Sequence, residues 1–281
     1  MRKFLPALLA IIALAPAARA AELPPRIVMM WQVTGRDYAG DFDELKRMGV
    51  NVAQSFALAG MDPAYIAGYF RAAGAAGIGV VPFLGSFVTG SGDDCALSAA
   101  GEDFVRAHAK EPALLAWHSV DEPVNHGITK SCQLRLYRQI KGIDPDHPVL
   151  VSINFTKQSE YDGYFEERAF DLLDLHRYVN PDVGPAQERL IDVFRQNRTR
   201  SYRVIVTLRG FDAPAKERRQ AMRSGSLDSQ YAYFFGKNRV GDDVGFYGWR
   251  LAPNLGISQI DWLRSEFGRL AREKLAAPPH D

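Results

Sequence analysis

Cysteine is nearly absent: Cys95 and Cys132 are the only two in 281 residues, and they form no Cys-x-x-Cys pair of the redox or zinc-binding kind. An excess of either charge is missing too. Thirty-four lysines and arginines (Lys+Arg 34) stand against 33 aspartates and glutamates, a formal net charge of +1 that gives no reason to expect nucleic acid or an anionic membrane as partner. Past the N-terminus no stretch approaches the roughly 18 uninterrupted apolar residues of a membrane span. There is no Gly-x-Ser-x-Gly elbow to suggest an esterase, and no glycine-rich loop ahead of a helix to cradle phosphate. Low-complexity linkers and repeats larger than one strand–helix unit are lacking as well, so nothing marks a second domain.

Residues 1–20 read as a secretory signal peptide: Arg2 and Lys3, an apolar core from Phe4 to Leu14, then Ala18-Arg19-Ala20. The mature chain, 21–281, is expected to be periplasmic or extracellular, without a lipid anchor, since no cysteine lies near the cut. Its size suits a single eight-fold α/β barrel. Short β-rich apolar runs alternate with amphipathic helical stretches, the signature of βα units around a parallel sheet. Eight strands are expected: Arg26 to Gln32, Val50 to Phe56, Gly79 to Leu84, Leu114 to Val120, Val149 to Asn154, Leu172 to His176, Arg203 to Leu208 and Gly245 to Trp249. They define the fold class α/β, a single (β/α)8 TIM barrel. Between them, Asp41 opens a helix with Phe42, Leu45 and Met48 on one face, and Asp62-Pro63 opens another. Leu190, Val193 and Phe194 mark the helix after the sixth strand, and Ser258 with Asp261 forms a capping box for the last.

The fourth strand carries the sharpest signal. Leu114 to Val120 is continuously apolar apart from His118 and Ser119, and it ends in Asp121-Glu122 before Pro123 stops the ladder. Adjacent carboxylates at the carboxyl end of a barrel strand stand where barrels bind ligands. The other strand ends add Trp31 and Gln32, Gln54, Phe83, His118, Asn154, His176 and Tyr178, Arg209 with Asp212, and Tyr247 with Trp249 and Arg250. Flat apolar faces for sugar rings, with amides and charges for hydroxyls, make a carbohydrate pocket. A catalytic metal is not expected, because the first strand reads Met30-Trp31-Gln32-Val33 and supplies no His-x-His, and no cofactor is called for.

In these motifs the chain resembles the clan A glycoside hydrolases, retaining (β/α)8 barrels. Asp121-Glu122-Pro123 stands where their fourth strand carries Asn-Glu-Pro, His176-Arg177-Tyr178 is similar to the His-x-Tyr of their sixth, and Trp249 to the eighth-strand tryptophan beneath the sugar. The resemblance implies cleavage of O-glycosidic bonds in an oligo- or polysaccharide, with Glu122 as general acid. Two departures stand out. The seventh strand ends Leu208-Arg209-Gly210-Phe211-Asp212, with no glutamate for a nucleophile, and Asp121 replaces the asparagine. Three second carboxylates are open: Asp212 from across the cleft, Asp121 by repelling its neighbour so that Glu122 keeps a proton, or Asp174 lower in the sixth strand. The rival reading is a carbohydrate-binding barrel without catalysis, accessory to export or assembly of a surface polysaccharide.

Export also bears on the cysteines. Cys95 and Cys132 fall in or just beyond the two longest rim loops, and a bond between them would tie those loops together beside Glu122. Closing a loop of about 37 residues stabilises by roughly 3 to 4 kcal/mol in the chain-entropy view. Thiol titration of the unfolded, unreduced protein should therefore find none; two titratable thiols would show the bond absent.

Overall fold

The structure is a computed structural model that describes residues 22–35, 37–154, 169–176, 191–192, 195, 202–212, 222–240, 243–251 and 255–275. The signal-peptide reading of 1–20 lies outside these residues, as do Tyr178 and the helical stripe Leu190, Val193 and Phe194.

Eight strands make one parallel sheet: β1 (Val28–Trp31), β2 (Val52–Ser55), β3 (Gly79–Pro82), β4 (Trp117–Asp121), β5 (Val149–Asn154), β6 (Leu172–His176), β7 (Arg203–Arg209) and β8 (Val244–Tyr247). Their order is β3-β2-β1-β8-β7-β6-β5-β4. The two ends meet through single parallel bridges, Val80 with Leu114 and Phe83 with His118, so the sheet is nearly closed into a barrel. Every strand expected from the apolar runs is present. β4 begins later than expected because Leu114 touches β3 only at its single bridge, and a bulge between His118 and Val120 re-aims the strand's carboxyl end.

Four helices cover the first four connections: α1 (Tyr38–Arg47), α2 (Pro63–Ala76), α3 (Ala99–His108) and α4 (Lys130–Ile143). α5 (Ser226–Tyr231) precedes β8 and α6 (Asp261–Leu270) follows it. Side-chain caps set the starts: Asp37 accepts from Gly40 N–H, Asp62 from Tyr65, Ser98 from Gly101 and Thr129 from Cys132. Two expected starts move. α1 is capped by Asp37, which frees Asp41 to pair with Arg250. The Ser258–Asp261 box does not form, because Ser258 Oγ donates instead to the Trp249 carbonyl and α6 begins without a side-chain cap.

Strand alternation sorts the apolar residues into two layers. Val28, Met30, Val151 and Phe246 join Phe42, Leu45, Tyr69, Phe70 and Leu136 of the helices in the outer core. Met29, Trp31, Val52, Val81, Leu115, Leu150, Leu172 and Ile205 fill the barrel. Gly245 also belongs inside: a Cβ there would overlap Thr207 Oγ1 and reach within 3.0 Å of Trp31 Nε1, the two atoms that bond to each other behind it. Gly245→Ala should therefore lower stability by about 1–3 kcal/mol, the usual cost of overpacking a rigid interior. Urea unfolding at fixed pH measures it; an unchanged midpoint would mean the inner layer yields.

Candidate active site

The carboxyl end of β4 is where the chain turns sharply. Glu122 has φ 43, a left-handed conformation that a branched or charged side chain adopts at a cost of about 1–3 kcal/mol. It is pinned there by its own N–H on the Ser152 carbonyl at 2.8 Å. The turn carries the carboxylate toward β6, where Oε1 accepts from His176 Nε2 at 2.9 Å, while Oε2 accepts from Asn125 Nδ2 at 2.7 Å.

Behind His176 lies a chain of polar groups inside the apolar barrel. Its Nδ1 bonds Asp174 Oδ2 at 3.0 Å and Ser152 Oγ at 3.1 Å. Asp174 is fully buried, accepting also from Ser152 Oγ at 3.1 Å and from the Thr207 hydroxyl. Thr207 in turn accepts from Trp31 Nε1 at 3.1 Å. Burial opposes a charge on His176, but hydrogen bonds to Asp174 and Glu122 outweigh it and raise its pKa to about 9. The same pairing with His176, helped by Asn125 and Asn154, lowers Glu122 to about 2 against a smaller desolvation effect. Asp121 goes the other way: burial is the main cause of a rise to about 6, the His176 charge opposes it, and Glu122 adds to it. Two adjacent carboxyls thus differ in protonation at mildly acidic pH. The sequence expectation puts the raised value on Glu122; the hydrogen bond from His176 to Glu122 reverses the order.

The other half of the mouth is aromatic. His118 contacts the rings of Trp31, Phe56 and Phe83 at centroid distances of 5.3, 5.5 and 4.9 Å. Tyr247 lies 6.1 Å from Trp31 and takes a long bond, 3.5 Å, from Gln32, whose φ of 62 is a second left-handed strand end. A cavity of about 410 Å³ opens beside these rings, lined by Phe56, Phe83, Ser86, Val120, Asp121, His126 and Ile128. Its outer wall is the pair of loops after β3 and β4. The Cys95–Cys132 bond ties them, with Cα atoms 5.5 Å apart, together with Gly92 N–H on the Gly127 carbonyl at 3.1 Å and Thr129 Oγ1 on Asp93 at 2.6 Å.

Several expected binding residues are turned elsewhere. Trp249 belongs to the outer core and is wholly buried, because β8 ends at Tyr247 and Gly248 breaks the alternation; Tyr247 is the residue of that strand at the mouth. Gln54 and His118 are buried against each other, Nε2 to Nδ1 at 3.1 Å, and burial drops the His118 pKa to about 3, so the ring is neutral packing beneath the cleft. Arg250 holds Asp41 through Nη2 at 2.6 Å, on the α1 side. Asp212 lies in a two-residue ribbon with Leu255–Gly256 and accepts from Met222 N–H at 2.9 Å. Arg209 ends β7 where a seventh-strand carboxylate would stand, its guanidinium 4.7 Å over the Phe211 ring. Asn154 is at the mouth beside His176, its buried Oδ1 without a partner. Ser152, Thr207 and Asn125 were missed. The first two are signalled only as lone hydroxyls in apolar strands, the third only by following Glu122 at a turn's spacing. Among the described residues no group of three or more His, Cys, Asp or Glu could hold a metal ion, and no helix is long and apolar enough to cross a membrane.

No protein-family model and no curated protein matches the sequence. Solved structures do match in fold. A provisionally named α-L-fucosidase of Bacteroides thetaiotaomicron VPI-5482 is similar over 97% of this chain and 100% of its own, at TM-score 0.65 and 13% identity. A β-galactosidase from Bacillus circulans sp. alkalophilus is similar at TM-score 0.59 and 10% identity over 91% of this chain. A calcium-binding mutant of Bacteroides uniformis β-glucuronidase 2 is similar at TM-score 0.60 and 13% identity over 89%. This chain spans 57% of that β-galactosidase and 34% of that β-glucuronidase. The fold is the barrel that these glycoside hydrolases share.

Three of the shifts make stability depend on pH in opposite senses. Glu122, lowered, stabilises above its unfolded value near 4.5 and loses that as pH falls toward 2. His176, raised, stabilises below 6.5 and loses that as pH rises through 9, whereas Asp121, also raised, favours the fold below 3.8 and loses that as pH rises through 6. Asp121→Asn should therefore gain on the wild type between pH 4 and 7, read as denaturation midpoints at each pH; a constant gap would mean that Asp121 has its ordinary pKa.

Proposed function

We propose that this chain is an exported glycoside hydrolase on a single (β/α)8 barrel, cleaving O-glycosidic bonds in an oligo- or polysaccharide with Asp121 and Glu122 as its working pair. The observation that carries the reading is the split between these two carboxyls at the barrel mouth, one raised to about 6 and the other lowered to about 2. Environments that push a pair apart assign the acid and the carboxylate. Asp121 gives its proton to the leaving glycosidic oxygen. Glu122, ionised, faces the positive charge that grows at the anomeric carbon, orients the attacking water and takes the proton that the water loses, which solvent then returns to Asp121. The alternative in which Glu122 is the acid would draw on a proton that His176 holds far more tightly than Glu122 can.

The rings of Phe56, Phe83 and Tyr247 offer apolar faces for a sugar, and the named activities of the proteins that share the fold support a glycosidic substrate. Export by residues 1–20, with the mature chain starting at Ala21, belongs to the same reading and is supported by the Cys95–Cys132 bond. A second reading, binding without cleavage, is favoured by Arg209 at the end of β7.

Glycosides with graded leaving groups separate the roles. Glu122→Gln should cost about 10³-fold or more in kcat on every substrate. Asp121→Asn should cost about 10²–10⁴-fold on natural oligosaccharides but far less on a dinitrophenyl glycoside, whose leaving group needs no proton. Wild-type kcat should fall above pH 6. Undiminished turnover in Glu122→Gln with the fold intact would remove it from the chemistry; tight oligosaccharide binding with no turnover across the panel would favour the binding barrel.

A further inference from the structure

The direction of every hydrogen bond behind Glu122 follows from one atom. An indole N–H can only donate, so Trp31 Nε1 fills the Thr207 oxygen and turns the Thr207 proton onto Asp174 Oδ1. Asp174 Oδ2 meanwhile accepts from Ser152. A carboxylate so surrounded is an acceptor only, so the third contact, His176 Nδ1, must bring a proton. Nδ1 being protonated, Nε2 faces a second carboxylate and donates as well.

We propose that Asp174 is the positioning residue of this site: acting through His176, it fixes the imidazole as a double donor and so holds Glu122 in place as a carboxylate. Asp174 is thereby removed from the candidate nucleophiles, since it is fully buried and its oxygens are taken by three side chains. The groups that bear on His176 come from four strands. Asp174 is on its own strand, Asp121 ends β4 with Glu122 just past it and His118 beneath them, Ser152 and Asn154 are on β5, and Thr207 on β7 links Asp174 to Trp31. Of these only the three carboxyl groups can carry negative charge, and of the three Asp174 is the one bonded to Nδ1, beside the Ser152 hydroxyl.

The assignment rests on the hydrolytic reading for its kinetic arm alone; the titration arm stands on the geometry. NMR titration of His176 in the full chain should show an imidazolium persisting to about pH 9. In Asp174→Asn the ring should titrate at least tenfold in proton concentration closer to neutrality, with kcat on an active substrate down at least tenfold and KM changed little. Thr207→Val should shift the same titration in the same direction, and Thr207→Ser, which keeps the hydroxyl, should restore it, so the inference does not hang on one variant's folding. A wild-type His176 titration in folded Asp174→Asn would overturn the assignment whether or not the protein cleaves any glycoside. A shifted titration without detectable turnover in the wild type would leave it standing and count against hydrolysis.

Discussion

A protonated imidazole held almost out of water is the constraint on which this site depends. Burying a cation is unfavourable by several kcal/mol unless opposite charge and good hydrogen bonds accompany it. His176 has both, with Asp174 below and Glu122 above. Much of the mouth follows. The turn at the end of β4 is what brings Glu122 within reach. Ser152 and Thr207 are the polar exceptions in otherwise apolar strands because Asp174 has further lone pairs to fill. Gly245 is without a side chain because the Trp31–Thr207 bond occupies the space where one would stand. Removing Asp174 or Glu122 leaves the buried His176 cation short of a partner, which is more costly than never having built the pair.

The barrel itself was legible in the sequence because its strands are buried on both faces, and such strands print as apolar runs that periodicity detects directly. The placing of Asp121-Glu122 at a strand end was legible for the same reason, with Pro123 marking the stop. Side-chain direction near strand ends was harder. Gly248 breaks the alternation, so Trp249 turns into the outer core and Tyr247 takes the place at the mouth, and no one-dimensional pattern records that step. Proton allocation was harder still. Repulsion between neighbouring acids is visible in a sequence, but which of them keeps the proton is decided by His176, 54 residues away in the chain. Asp41 shows the same limit in a plainer setting: an acid at a helix start reads as a cap, yet here it answers Arg250, 209 residues distant.

The mouth has two dissimilar halves. On one side, rings from β1 and β8 with Phe56 and Phe83 make a firm apolar floor around a neutral His118. On the other, carboxylates and a cation sit in fixed order. The loops that wall the cavity are joined covalently and by backbone bonds, so the apolar side is rigid as well as the charged one. Electrostatic preorganisation of this kind acts without further rearrangement when charge develops in a bound ligand.

Left-handed backbone at Gln32 and Glu122 has a consequence of its own. Both positions would be relieved by glycine, which enters that region freely. At position 32 glycine would give up only a long hydrogen bond, whereas at 122 it would also strip the buried His176 cation of a carboxylate, so relief of the backbone is set against a lost ion pair. Glu122 thus holds a torsion that its backbone disfavours, and the contact with His176 is what keeps it there.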